Sequence, residues 1–137
     1  GRGVEAQMTM FDRYAPAIAL HFAGCAGMGI WFGAVVASGG SPITPETYGP
    51  YVYAIPAAAW VVAQVVCGAL ASLGAAIGQR LLAALFATLS TLLMCGFAVL
   101  SIGQPEGTLL QAGAAMWAGP LSCMAALVCW FGGSVGR

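Results

Sequence analysis

Between Arg13 and Arg137 the chain carries only three formal charges, Glu46, Arg80 and Glu106, which divide it into four long uncharged runs. Nothing else in the sequence constrains the fold as much. A hydrocarbon layer of roughly 30 Å is crossed by about 20 apolar residues in helical conformation. Each of the runs 14–45, 47–79, 81–105 and 107–136 is long enough. A soluble domain has about a quarter of its residues charged, whereas this chain has 6%, with no lysine and 61% hydrophobic residues. So few charges cannot cover the surface of a water-soluble domain. The expected fold is all-α: a polytopic integral membrane protein with four transmembrane helices in a compact bundle, near residues 15–38, 54–77, 81–102 and 109–132. Residues 1–137 form one membrane domain, with 1–14 as an interfacial N-terminal segment. Three spans plus a re-entrant segment is the rival arrangement.

The signs of the markers alternate: Arg13, Glu46, Arg80, Glu106, Arg137. Basic residues concentrate in cytoplasmic connections while acidic ones carry little topological weight. Four spans then place both termini and the 2–3 turn on the cytoplasmic side, in a bacterial inner membrane. Arg80 is expected to cap a tight helical hairpin, with Gly78 as the helix stop. The N-terminal stretch "GRGVEAQMTMFDRYAP" has mixed charge and does not read as a secretory signal peptide.

The connection "SGGSPITPETYGPYVYAIP" contains a helix-start signature, Thr44-Pro45-Glu46, interrupted by Gly49-Pro50 and Pro56. Tyr48, Tyr51 and Tyr53 cluster there as amphipathic rings do at headgroup level, or as a docking surface for a partner. Small residues recur at four-residue steps in every predicted span. Helix 1 has Cys25, Gly29, Gly33 and Ala37; helix 2 has Ala63, Cys67, Ala71 and Ala75; helix 3 has Ala83, Ala87, Thr91 and Cys95; helix 4 has Ala115, Gly119 and Cys123. Such stripes allow close backbone approach, on which helix packing in lipid depends. Pro120 falls inside helix 4, where it kinks the helix and frees the Met116 carbonyl for Ser122 or a neighbouring helix.

Chemistry-bearing residues are sparse. The one histidine, His21, is placed about two turns into helix 1, near the cytoplasmic boundary. The five cysteines, at 25, 67, 95, 123 and 129, have no C-x-x-C spacing and read as small apolar residues. No nucleotide, hydrolase or zinc-protease motif is present, and no basic patch marks a nucleic-acid site. The reading is a non-enzymatic protein without metal or cofactor, acting as a structural or accessory subunit. Its partners are the lipid bilayer and other membrane subunits or copies of itself.

Two resemblances extend this. In "AIALH", Ala17 precedes His21 by four residues. This arrangement resembles bacterial antenna polypeptides, in which the histidine ligates bacteriochlorophyll, and it implies pigment binding through His21 as an alternative role. In residues 41–64, Tyr48, Gly49, Pro50, Ile55, Pro56, Ala57 and Trp60 make a pattern that resembles small hydrophobic proteins encoded among the virion genes of tailed bacteriophages. That resemblance implies a phage-encoded membrane or virion-associated protein delivered into the host envelope during genome ejection. Holins, which oligomerise into membrane lesions, are the related alternative, although the chain reaches Arg137 directly after the fourth span with no charged tail.

Overall fold

The computed structural model describes residues 9–37, 57–102 and 109–133. These residues form four helices and no strands: α1 (Met10–Ala37), α2 (Ala57–Ala76), α3 (Arg80–Ile102) and α4 (Leu109–Phe131). Tyr48, Tyr51, Tyr53 and most of the 41–64 segment lie outside the described residues, as do the side chains of Ala37 and Ala115.

α1 begins five residues earlier than the apolar run suggested, because Thr9 and Asp12 cap it. The Thr9 hydroxyl accepts from the Asp12 N–H at 3.1 Å and donates to the Asp12 carboxylate at 2.6 Å. The Thr9 carbonyl already accepts from the Arg13 N–H. The side chains thereby serve donors that a helix start leaves orphaned, and residues 10–14 continue the helix instead of forming a separate interfacial segment. Pro16 is accommodated inside α1.

The 2–3 turn has the geometry that Gly78 suggested. Gly78 adopts φ +78°, its N–H donates to the Ala75 carbonyl, and the Gln79 N–H donates to the Gly74 carbonyl at 2.8 Å. This is a Schellman closure with glycine in the left-handed position. The Gln79 carbonyl then accepts the first bond of α3, from Ala83.

α1 packs mainly on α2, α2 on α3 and α3 on α4, with narrower contacts from α1 to α4 and α3. The start of α1, the 2–3 turn and the end of α4 therefore gather at one end, where the Phe11 N–H donates to the Gly132 carbonyl at 3.0 Å. The core is built of small side chains. Cys25, Ala71, Ala75, Ala83, Ala84, Ala87, Ala125, Ala126 and Cys129 are buried around Phe11, Ile18 and Phe22. Large apolar side chains face outwards on all four helices: Leu20, Ile30 and Trp31 on α1, Val62 and Leu73 on α2, Leu81, Leu85 and Leu92 on α3, and Met124, Leu127 and Phe131 on α4. Among the described residues one stretch, Ala59–Ala76, is long and apolar enough to cross a membrane, while Arg80–Gly96 and Gly119–Phe131 are apolar but shorter.

Candidate functional site

Polar side chains inside this apolar bundle form two clusters. The first joins α1 to α4. His21 and Cys25 stand one helical turn apart, on the same face, opposite Ser122. His21 Nε2 lies 2.7 Å from Ser122 Oγ and 3.7 Å from Cys25 Sγ, and Cys25 Sγ lies 4.0 Å from Ser122 Oγ. Cys25 and Ser122 are buried and His21 is half-buried. Ser122, offered by the sequence as a partner for the Met116 carbonyl, thus meets the histidine. With α1 starting at Met10, His21 sits ten residues beyond Phe11, about 15 Å from the end of the bundle at 1.5 Å per residue.

The second cluster joins α2 to α3. The Gln64 amide donates to Ser90 Oγ at 3.3 Å, while its carbonyl oxygen, also buried, has no hydrogen-bond partner. Next to Ser90 in α3, the Thr91 hydroxyl donates to the Ala87 carbonyl of its own helix at 2.7 Å. A further bond joins α2 to α1, from Ser72 Oγ to the Ala19 carbonyl at 2.7 Å.

Arg80 does more than mark the hairpin. Its guanidinium crosses to α4 and donates from one nitrogen to the carbonyls of Cys129 and Trp130, both at 2.9 Å. A cation at a helix C-terminus meets the negative end of the macrodipole and the carbonyls left without intrahelical partners. Beside it, a cleft of about 380 Å³ opens between the starts of α1 and α3, with Thr9, Asp12, Gln79 and Arg80 on its walls.

The glycines chosen for packing act within the chain. A Cβ on Gly29 would stand 2.9 Å from Val65 Cγ2, one on Gly33 would stand 2.9 Å from Val61 Cγ1, and one on Gly119 would stand 3.6 Å from Cys95 Sγ. Two glycines outside the four-residue stripes face the backbone of a neighbouring helix directly. A Cβ on Gly68 would meet the α1 backbone at Ala26 N, 2.9 Å away, and one on Gly74 would meet Ala83 N at 2.7 Å. Pro120 is exposed within a continuous α4.

Chemically, a serine and a histidine at 2.7 Å form the nucleophile–base contact of acyl-transfer sites. Here the serine is fully buried, so an external substrate reaches it only if α1 and α4 part. In the closed bundle the pair is an interhelical clamp. No group of three His, Cys, Asp or Glu side chains is positioned to hold a metal among the described residues. Comparison of the chain with protein families, with characterised proteins and with solved structures finds no match.

Proposed function

We propose that the chain is a four-span membrane protein without catalytic activity of its own, acting as a structural or accessory subunit through contacts in the plane of the bilayer. The observation that carries this reading is the inverted distribution of side-chain size. Among the described residues, alanine, glycine, cysteine and serine make up most of the interior around Phe11, Ile18 and Phe22, and large apolar side chains stand exposed on all four helices. In water, an apolar surface so continuous would drive aggregation. In lipid, large side chains outside and small ones inside are what close helix packing requires. The gathering of the α1 start, with Arg13, and the Arg80 turn at one end of the bundle supports a positive-inside placement of these two arginines.

Reporter fusions test the topology. Fusions at Thr47 and Gln104 should report the side opposite to fusions at Gln79 and at Arg137, and the protein should resist alkaline extraction from membranes. A shared side for Thr47 and Arg137, or release at high pH, overturns the four-span reading. The accessory role is tested separately by expression in a bacterial host. A holin-like lesion former collapses the membrane potential at a timed threshold, and a structural subunit leaves it intact.

A further inference from the structure

We propose that His21 and Cys25, assisted by Ser122, form a binding site for a soft monovalent cation, Cu(I) or its redox-inert counterpart Ag(I). The two ligating atoms come from one helical face, and their separation matches a shared ion. Bonds of roughly 2.0 Å to imidazole nitrogen and roughly 2.3 Å to sulfur, about 120° apart, span about 3.7 Å. The observed Nε2 to Sγ distance is 3.7 Å. Ser122 Oγ, 2.7 Å from the nitrogen and 4.0 Å from the sulfur, closes the third side of the site: the ion takes the Nε2 lone pair, the imidazole keeps its proton on Nδ1, and the Ser122 hydroxyl turns from Nε2 to donate to the thiolate sulfur.

Charge selects the ion. Binding displaces the Cys25 thiol proton, which leaves to solvent, so that a monovalent cation and one thiolate with a neutral imidazole make a neutral unit. A neutral unit can reside in an apolar interior, whereas a divalent ion on the same donors leaves a buried positive charge without compensation. Zinc also demands a fourth ligand, while thiolate sulfur favours Cu(I). This site is independent of the role proposed for the whole chain, since an accessory subunit and a lesion former could equally contain it. One competitor exists within the molecule: the thiols of Cys95 and Cys123 meet across α3 and α4.

The test uses the full chain purified in detergent under anaerobic conditions. One equivalent of Cu(I) is titrated against a bathocuproine competitor, and Ag(I) is used in parallel. The expected result is one ion bound per chain, with mixed nitrogen and sulfur coordination by X-ray absorption. His21→Gln, which keeps a polar partner for Ser122, and Cys25→Ser should each weaken binding at least tenfold, with helicity by circular dichroism unchanged. Cys95→Ala and Cys123→Ala should stay within twofold of wild type. No bound ion, sulfur-only coordination, or loss of binding on removing Cys95 or Cys123 overturns the proposal. If the His21 or Cys25 variants fail to fold, the coordination of the wild-type chain decides by itself.

Discussion

Gly68→Ala adds one carbon where α2 lies against the backbone of α1. The new Cβ would stand 2.9 Å from Ala26 N, 3.0 Å from the Phe22 carbonyl oxygen and 3.2 Å from Ala26 Cα. None of these atoms can turn aside. Restoring contacts of about 3.5 Å requires α1 and α2 to separate by about half an ångström. The same movement stretches the Ser72 to Ala19 bond from 2.7 Å to roughly 3.2 Å, past the comfortable range for a hydroxyl donor. Overpacking of this kind costs about 1–3 kcal/mol. The better helix propensity of alanine returns up to about 1 kcal/mol, leaving a net loss of about 1–2 kcal/mol. Two companion variants separate sterics from propensity. Gly33→Ala meets only a Val61 methyl, which can shift, and should be near neutral. Gly24→Ala meets nothing within 4 Å and should be neutral or slightly stabilising. Unfolding in mixed micelles with increasing dodecyl sulfate, followed by ellipticity, ranks the three. If Gly68→Ala is no less stable than Gly24→Ala, the close α1–α2 approach and the reasoning built on it are wrong.

Replacing Arg80 with glutamine removes a charged donor shared by two α4 carbonyls. A loss of about 1–3 kcal/mol follows, read as earlier proteolysis near residues 129–133, and wild-type protease resistance would contradict it. The double replacement Gln64→Leu with Ser90→Ala should be neutral or stabilising by up to about 1 kcal/mol, because it removes both ends of the Gln64–Ser90 bond together with a buried carbonyl oxygen that has no partner among the described residues. A clear loss in the same micelle titration would mean that the oxygen is bonded. At Gly78, where φ is +78°, alanine should cost about 1–2 kcal/mol through backbone strain and asparagine less, although the space for a Cβ is open; equal stability of the two variants would remove the strain argument.

The number of helices was legible because charge spacing acts over the whole chain: each uncharged run holds most of one described helix, although α1 starts ahead of Asp12 and Arg13 and α3 begins on Arg80. The Gly78 turn was legible because a left-handed residue next to an arginine leaves few alternatives. The start of α1 was not, since Thr9 and Asp12 sit among charged residues that looked like a separate segment, and a capping pair outweighs local polarity. The stripe in α2 was only partly legible: Ala71 and Ala75 are buried as expected, but the close approach to the α1 backbone belongs to Gly68 beside Cys67, and that to α3 belongs to Gly74. In a helix rich in alanine, several faces satisfy a four-residue period equally well. Within the candidate site, the four-residue interval between His21 and Cys25 is visible in the sequence, but spacing among the cysteines alone does not reveal it. Ser122 could not be assigned to His21 without knowing that α4 closes on α1.

The span of chain between Arg80 and its acceptors also sets a timetable. The carbonyls of Cys129 and Trp130 lie 49 and 50 residues downstream. At a synthesis rate of about 5–20 residues per second, the arginine emerges roughly 3–10 s before the groups that will receive it. Throughout that interval its partners are water and, beside a membrane, lipid phosphate. An arginine at the tip of a turn can wait there at little cost, whereas one in the middle of a helix would wait in hydrocarbon. α1 and α2 can join as soon as both exist, but the seam between α1 and α4, with the His21 clamp on it, closes only when α4 has been made. Ribosome-bound chains halted before and after residue 130 should therefore differ sharply in the protease resistance of the Arg80 turn.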